Sequence, residues 1–126
     1  MDEIKNIIEE LGIAALENDI KIAGVAVVSD SGNLIFQTSN WDLTNKTLFI
    51  FETIKGAPSF IFNDIEFSVV KTGAEGIIGT NESGMGHILI ATFHGGVLVS
   101  YAMPQADPPK ALIFLKSFAA KLNGKL

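Results

Sequence analysis

The stretch from Ile65 to Ala102 constrains the fold more than any other part of the chain. It reads as four short runs rich in apolar and β-branched residues: Ile65 to Lys71, Glu75 to Asn81, His87 to Phe93 and Val97 to Ala102. Between them stand Thr72-Gly73-Ala74, Glu82-Ser83-Gly84-Met85-Gly86 and His94-Gly95-Gly96. Runs bounded by glycine clusters in this way are strands. Connections this short can join only antiparallel neighbours, because a parallel crossover needs about a dozen residues or more. The segment is therefore expected to be a four-stranded antiparallel meander.

Helices flank it. In residues 3–17, Ile4, Ile7, Ile8, Leu11 and Ala15 fall in one stripe at 100° per residue, with Glu9, Glu10 and Glu17 away from it. Residues 21–28 and 34–38 form a hairpin around Ser29-Asp30-Ser31-Gly32-Asn33, whose residue types favour a turn. Asp42 or Thr44 is placed to cap a second helix ending near Lys55, with Leu43, Thr47, Ile50, Phe51 and Ile54 inward and Phe49 off the stripe. Gly56 and Pro58 end it. The last helix spans roughly 108–122. Asp107 is its N-cap, two prolines sit in its first turn, and Ala111, Leu115, Phe118 and Leu122 face inward. Ile113 lies on the opposite side. The expected architecture is α+β: a single antiparallel sheet of about six strands, the N- and C-terminal helices on one face and the middle helix on the other.

Composition narrows the function. The 126 residues suit one domain over 1–126. There is no cysteine, so disulfides, thiolate metal sites and a cysteine nucleophile are excluded. A net charge of −5 argues against nucleic acid as a partner. All nine basic residues are lysine, which leaves no guanidinium fork for phosphate or carboxylate. No apolar run approaches the roughly 20 residues of a membrane span. Asp2 and Glu3 carry the wrong charge for a leader, so an intracellular, cytoplasmic protein is expected.

Catalysis has little to stand on. His87 starts one strand and His94 sits in the next turn, nearly a strand length apart, so a shared metal is not expected. The glycine-rich 82–86 segment joins two strands and lacks the helix a phosphate loop requires. No carboxylate pairing is evident. The residues point to a binding protein without catalysis, cofactor or metal. Trp41, the single tryptophan, is expected to close one end of the core.

Several strings resemble the profilin family, the small proteins that bind actin monomers. Ser31-Gly32-Asn33-Leu34-Ile35-Phe36-Gln37-Thr38-Ser39-Asn40-Trp41 is similar to the turn and second strand of plant-type members, D-G-S-V-W-A-Q-S-S-N-F. Gly84-Met85-Gly86-His87-Ile88-Leu89-Ile90 resembles G-A-G-G-I-T-I, and the stretch from Gly95 to Tyr101 resembles G-Q-A-L-V-F-G-I. The likeness covers essentially the whole chain in the family's order of elements. The divergence and the lack of arginine suggest a distant, archaeal member of the Asgard type.

The resemblance implies a cytoskeleton-associated, monomeric protein that binds actin or an archaeal actin homologue. It would regulate polymerisation and nucleotide exchange. Carried over by position, the actin face comprises Thr80, Glu82, Met85 and His87 on the meander, Asp107 and Pro109 in the following loop, and Leu112, Ile113 and Lys116 on the last helix. Met85 and Ile113 would form its apolar centre. The family's polyproline groove needs aromatic rings. Here the first helix has none, Ile35 stands at the strand tryptophan position, and only Phe114 and Phe118 remain, so polyproline binding is not expected. Asn81, Glu82 and Ser83 stand where many members carry basic residues, so phosphoinositide binding is not expected either. The rival reading is a roadblock- or longin-type platform for small GTPases, which has one strand fewer between its last two helices.

Overall fold

A computed structural model describes residues 2–126. The first helix, α1 (Asp2–Glu17), leads into the hairpin β1 (Ile22–Ser29) and β2 (Leu34–Gln37). A short helix, α2 (Leu48–Ile54), precedes five strands: β3 (Ser59–Phe62), β4 (Ile65–Gly73), β5 (Gly76–Thr80), β6 (His87–Phe93) and β7 (Gly96–Ala102). The last helix is α3 (Pro108–Lys121). All strands form one antiparallel sheet in the order β2-β1-β7-β6-β5-β4-β3. The four strands expected between residues 65 and 102 are present as β4 to β7, one more than the roadblock arrangement has.

The sheet has seven strands, not about six. The additional one is β3, which pairs Ser59 with Ser68 and Phe62 with Ile65 across the tight Asn63-Asp64 turn. Both turn residues take positive φ, 52° and 63°, a conformation that Asn and Asp tolerate better than most.

Alternation along the strands divides the apolar residues between two faces. On one face Val25, Val27, Ile78, Leu89 and Leu98 pack beneath Ile4, Ile8, Leu11 and Ala15 of α1 and Ala111, Leu115 and Phe118 of α3. The terminal helices lie side by side, joined by a Lys121–Glu10 ion pair at 2.7 Å, and Lys125 in the segment after α3 pairs with Glu3 of α1 at 3.1 Å. On the other face Val28, Ile77, Ile88, Ile90 and Val99 pack against Trp41, Phe49, Ile50, Phe60 and Phe67.

The middle helix departs from the expected boundaries and phase. It begins at Leu48, so Phe49, Ile50 and Thr53 point inward, while Ile54 is exposed and Phe51 half-buried. Leu43 is buried, but from the preceding loop. Asp42 does not cap the helix. Its Oδ1 accepts from the Thr44 amide at 2.9 Å and from Gln37 Nε2 at 3.3 Å, closing a local turn. By contrast α3 begins as expected, with Asp107 accepting from the Lys110 amide and prolines in the first turn.

Candidate protein-interaction site

Cross-strand register assembles the first part of the surface. Ser59 opposes Ser68, Ser68 opposes Thr80, Thr80 opposes His87, and His87 opposes Ala102. Directly opposed residues share a face, so these five form one row on the side that bears α1 and α3. Ile61 lies two residues along β3 from Ser59 and therefore shares that face, 66% exposed. It was missed in the sequence because β3 was not recognised. The Phe60-Ile61-Phe62 alternation, with both phenylalanines buried, is the signal that marks it.

Thr80 and His87 interact directly. The Thr80 hydroxyl and His87 Nδ1 share a hydrogen bond of 2.9 Å. His87 Nε2 is enclosed and has no partner among the described residues. Burial holds the imidazole below its ordinary pKa, since it disfavours the charged form. The Pro104 carbonyl pulls the other way without completing a hydrogen bond to Nε2.

Glu82 and Met85 project from a turn held by its own polar groups. Asn81 Oδ1 accepts from the amides of Ser83 and Met85 at 2.9 and 3.1 Å, while its Nδ2 donates to the Glu66 carbonyl at 2.8 Å. The Tyr101 hydroxyl donates to the Met85 carbonyl at 2.7 Å. Gly86 takes φ 103°, and a Cβ there would lie 2.5 Å from the Tyr101 oxygen, so only glycine fits this return. Glu82 is exposed, and the Met85 side chain is 51% exposed.

The remaining residues come from α3 and its entry loop. Asp107 and Pro109 are exposed, and Ile113 is 60% exposed on the outer flank. Leu112 corrects the expectation, because it is fully buried and cannot contact a partner. It packs over β5, where the absent side chain of Gly76 makes room for its Cδ1. Lys116 is half-buried, and its Nζ donates to the Thr92 carbonyl at 2.6 Å, towards the far end of β6 from His87. Met85 is also set apart. It lines a cavity with Trp41 and Phe67 of the second apolar cluster, whereas Thr80, His87 and Ile113 belong to the helix-bearing side.

Among the described residues no three His, Asp, Glu or Cys side chains gather as a metal site would require. The arrangement offers exposed apolar groups amid polar ones on a rigid sheet, which suits reversible protein binding. No protein-family model matches the chain. The fold is nevertheless shared with Acanthamoeba castellanii profilin IB, at a TM-score of 0.69 and 14% identity over 83% of this chain and 87% of that one. That defines a profilin-fold protein. Loki profilin-1 of Lokiarchaeum is 30% identical over 133 residues, covering 97% of this chain and 96% of the relative. Structural likeness is higher to Loki profilin-2 as solved in a complex with rabbit actin, with a TM-score of 0.87 and 28% identity over 100% of this chain and 99% of that one. The chain belongs to the profilin family.

Proposed function

We propose that this profilin binds actin monomers, or an archaeal actin homologue, in the cytoplasm, and acts by binding without catalysis. The observation that carries the reading is similarity over the whole of this chain to Loki profilins solved in complexes with rabbit actin. Occupying one end of the monomer blocks addition at one filament end and loosens the nucleotide cleft, which speeds exchange. The contact surface comprises Thr80, Glu82, His87, Asp107 and Pro109 around Ile113, with Met85 and Lys116 at its margins. Leu112 supports it from below.

Ile113→Asp tests the site. The side chain is 60% exposed, so the change is expected to move stability by no more than about 0.5 kcal/mol. It places an unpaired charge in an apolar contact and is expected to weaken actin binding by roughly 1–3 kcal/mol. Calorimetry with monomeric actin reads the loss, and a thermal melt checks the fold. Phe118→Asp is the control, because Phe118 is buried and its loss should damage folding. An Ile113→Asp protein that melts and binds like the parent removes Ile113 from the interface. Failure of the parent to bind any actin removes the function.

A further inference from the structure

On the α2 side of the sheet, near the turn that presents Met85, a cavity of about 310 Å³ opens to the surface. Its aromatic lining comes from Trp41, Phe62, Phe67 and Tyr101. Trp41 can lie against β1 because residue 24 is glycine: a Cβ there would come within 2.7 Å of the Trp41 side chain. The volume is at the small end of ligand sites. No Lys, Asp, Glu or His lines it.

The polar groups left over define the ligand. Trp41 is 91% enclosed, but its indole N–H makes no hydrogen bond to the described residues and is not sealed in, so it stays open to an acceptor entering the cavity. Asn63 uses its Oδ1 to accept from Lys46 Nζ at 2.9 Å, which leaves its amide N–H groups free. Asn40 spends its Nδ2 on the Ala23 carbonyl, which leaves Oδ1. Donors and an acceptor therefore surround an aromatic floor without charge. That set matches a peptide group beside an uncharged ring, and it disfavours ions.

We infer that this cavity receives an uncharged aromatic side chain borne on a partner polypeptide, with the adjoining peptide group bonded to Trp41 and Asn63. Met85 lines the cavity and stands at the margin of the proposed actin surface, so a partner seated on that surface has this cavity at its edge. The inference rests on the actin reading only for where the segment comes from.

The probe is N-acetyl-L-phenylalaninamide, titrated into the full chain and followed by the proton–nitrogen NMR spectrum. Trp41 is the only tryptophan, so its indole N–H gives a single resonance. That resonance is expected to shift and saturate at millimolar probe, together with the Asn63 side-chain amide. N-acetylglycinamide and N-acetyl-L-lysinamide are expected to bind at least about tenfold more weakly, lacking the ring or adding a charge. An indole resonance that stays still up to the solubility limit overturns the inference. So does an equal response to the glycine or lysine compound. The titration contains no actin, so its failure leaves the actin reading standing, and loss of the actin reading leaves this measurement intact.

Discussion

A histidine whose inner nitrogen finds no partner makes the fold sensitive to protons at a single residue. The groups facing His87 are Thr80 from β5, Ala102 from β7 and Pro104 from the loop before α3, and none of them titrates. The charged residues of neighbouring segments, Glu82, Asp107 and Lys110, exert no resolved effect on it. Its folded pKa is lowered, so the unfolded chain takes up the proton first. Stability attributable to His87 is therefore intact above about pH 6.5, the value of an unperturbed histidine, and is lost as pH falls from there towards the folded pKa. His87→Asn keeps a polar atom near Thr80 and abolishes the titration. The difference in melting temperature between parent and variant is expected to drift against the parent on acidification from pH 7 to about pH 5. A pH-independent difference would show that burial does not act on this ring. Asp19 and Asp42 are also held below the ordinary aspartate value, by hydrogen bonding to Lys21 and to the Thr44 amide respectively, but they titrate at lower pH. Residue scale is also where sequence reading stopped short. The 100° step places Ile113 outward, and it is outward. It leaves Leu112 at the edge of the buried face, and the small Gly76 on β5 decides that it goes in. That neighbour is 36 residues away in the chain and invisible to periodicity.

At the scale of the element, local chemistry was legible where it acts locally. The α3 start combines an N-cap aspartate with prolines that need no amide partner, and both signals lie within a few residues of each other. Asp107→Ala is expected to cost about 1 kcal/mol, the usual loss of an N-cap, without altering the denaturant slope. Urea unfolding measures it, and a loss much below that would mean the helix start is held by its prolines and packing alone. The α2 start misled because Asp42 has the chemistry of a cap but serves a turn. The residue at the cap position, Thr47, sends its hydroxyl to the Gly32 carbonyl at 3.0 Å and makes no cap bond. Moving the start to Leu48 replaced Ile54 and Phe51 in the inward set by Phe49 and Thr53, while Ile50 is inward as expected. There Phe49 stacks on Phe60 at 5.0 Å, a contact that depends on β3. That strand was hidden by its brevity: four residues following Pro58, with too few alternations to register. The meander and the two long helices, which repeat their pattern over several turns or strands, were read correctly.

Whole-molecule geometry governs the surface formed where the chain's two ends meet. A proline-rich ligand needs exposed rings in a row, because its pyrrolidines stack on them and little else holds it. Here α1 contributes the buried Ile4, and β2 contributes the half-buried Ile35. On α3, Phe114 and Phe118 lie 5.1 Å apart at an interplanar angle of 47°, and Phe118 is only 7% exposed. Lys121 sits over the Phe118 ring at 4.5 Å, and its ion pair with Glu10 of α1 holds it there. The packing of the two helices thus covers the ring that the composition left. A decaproline peptide is expected to show no saturable heat in calorimetry at millimolar concentration. Lys121→Ala uncovers the ring but supplies no second row of aromatics, so it should not restore binding. It should instead cost little stability, at most about 1 kcal/mol, as exposed ion pairs do. Micromolar binding of decaproline by the parent would place a proline site on another face, and the aromatic cavity beside Trp41 would be the first surface to examine by mutation.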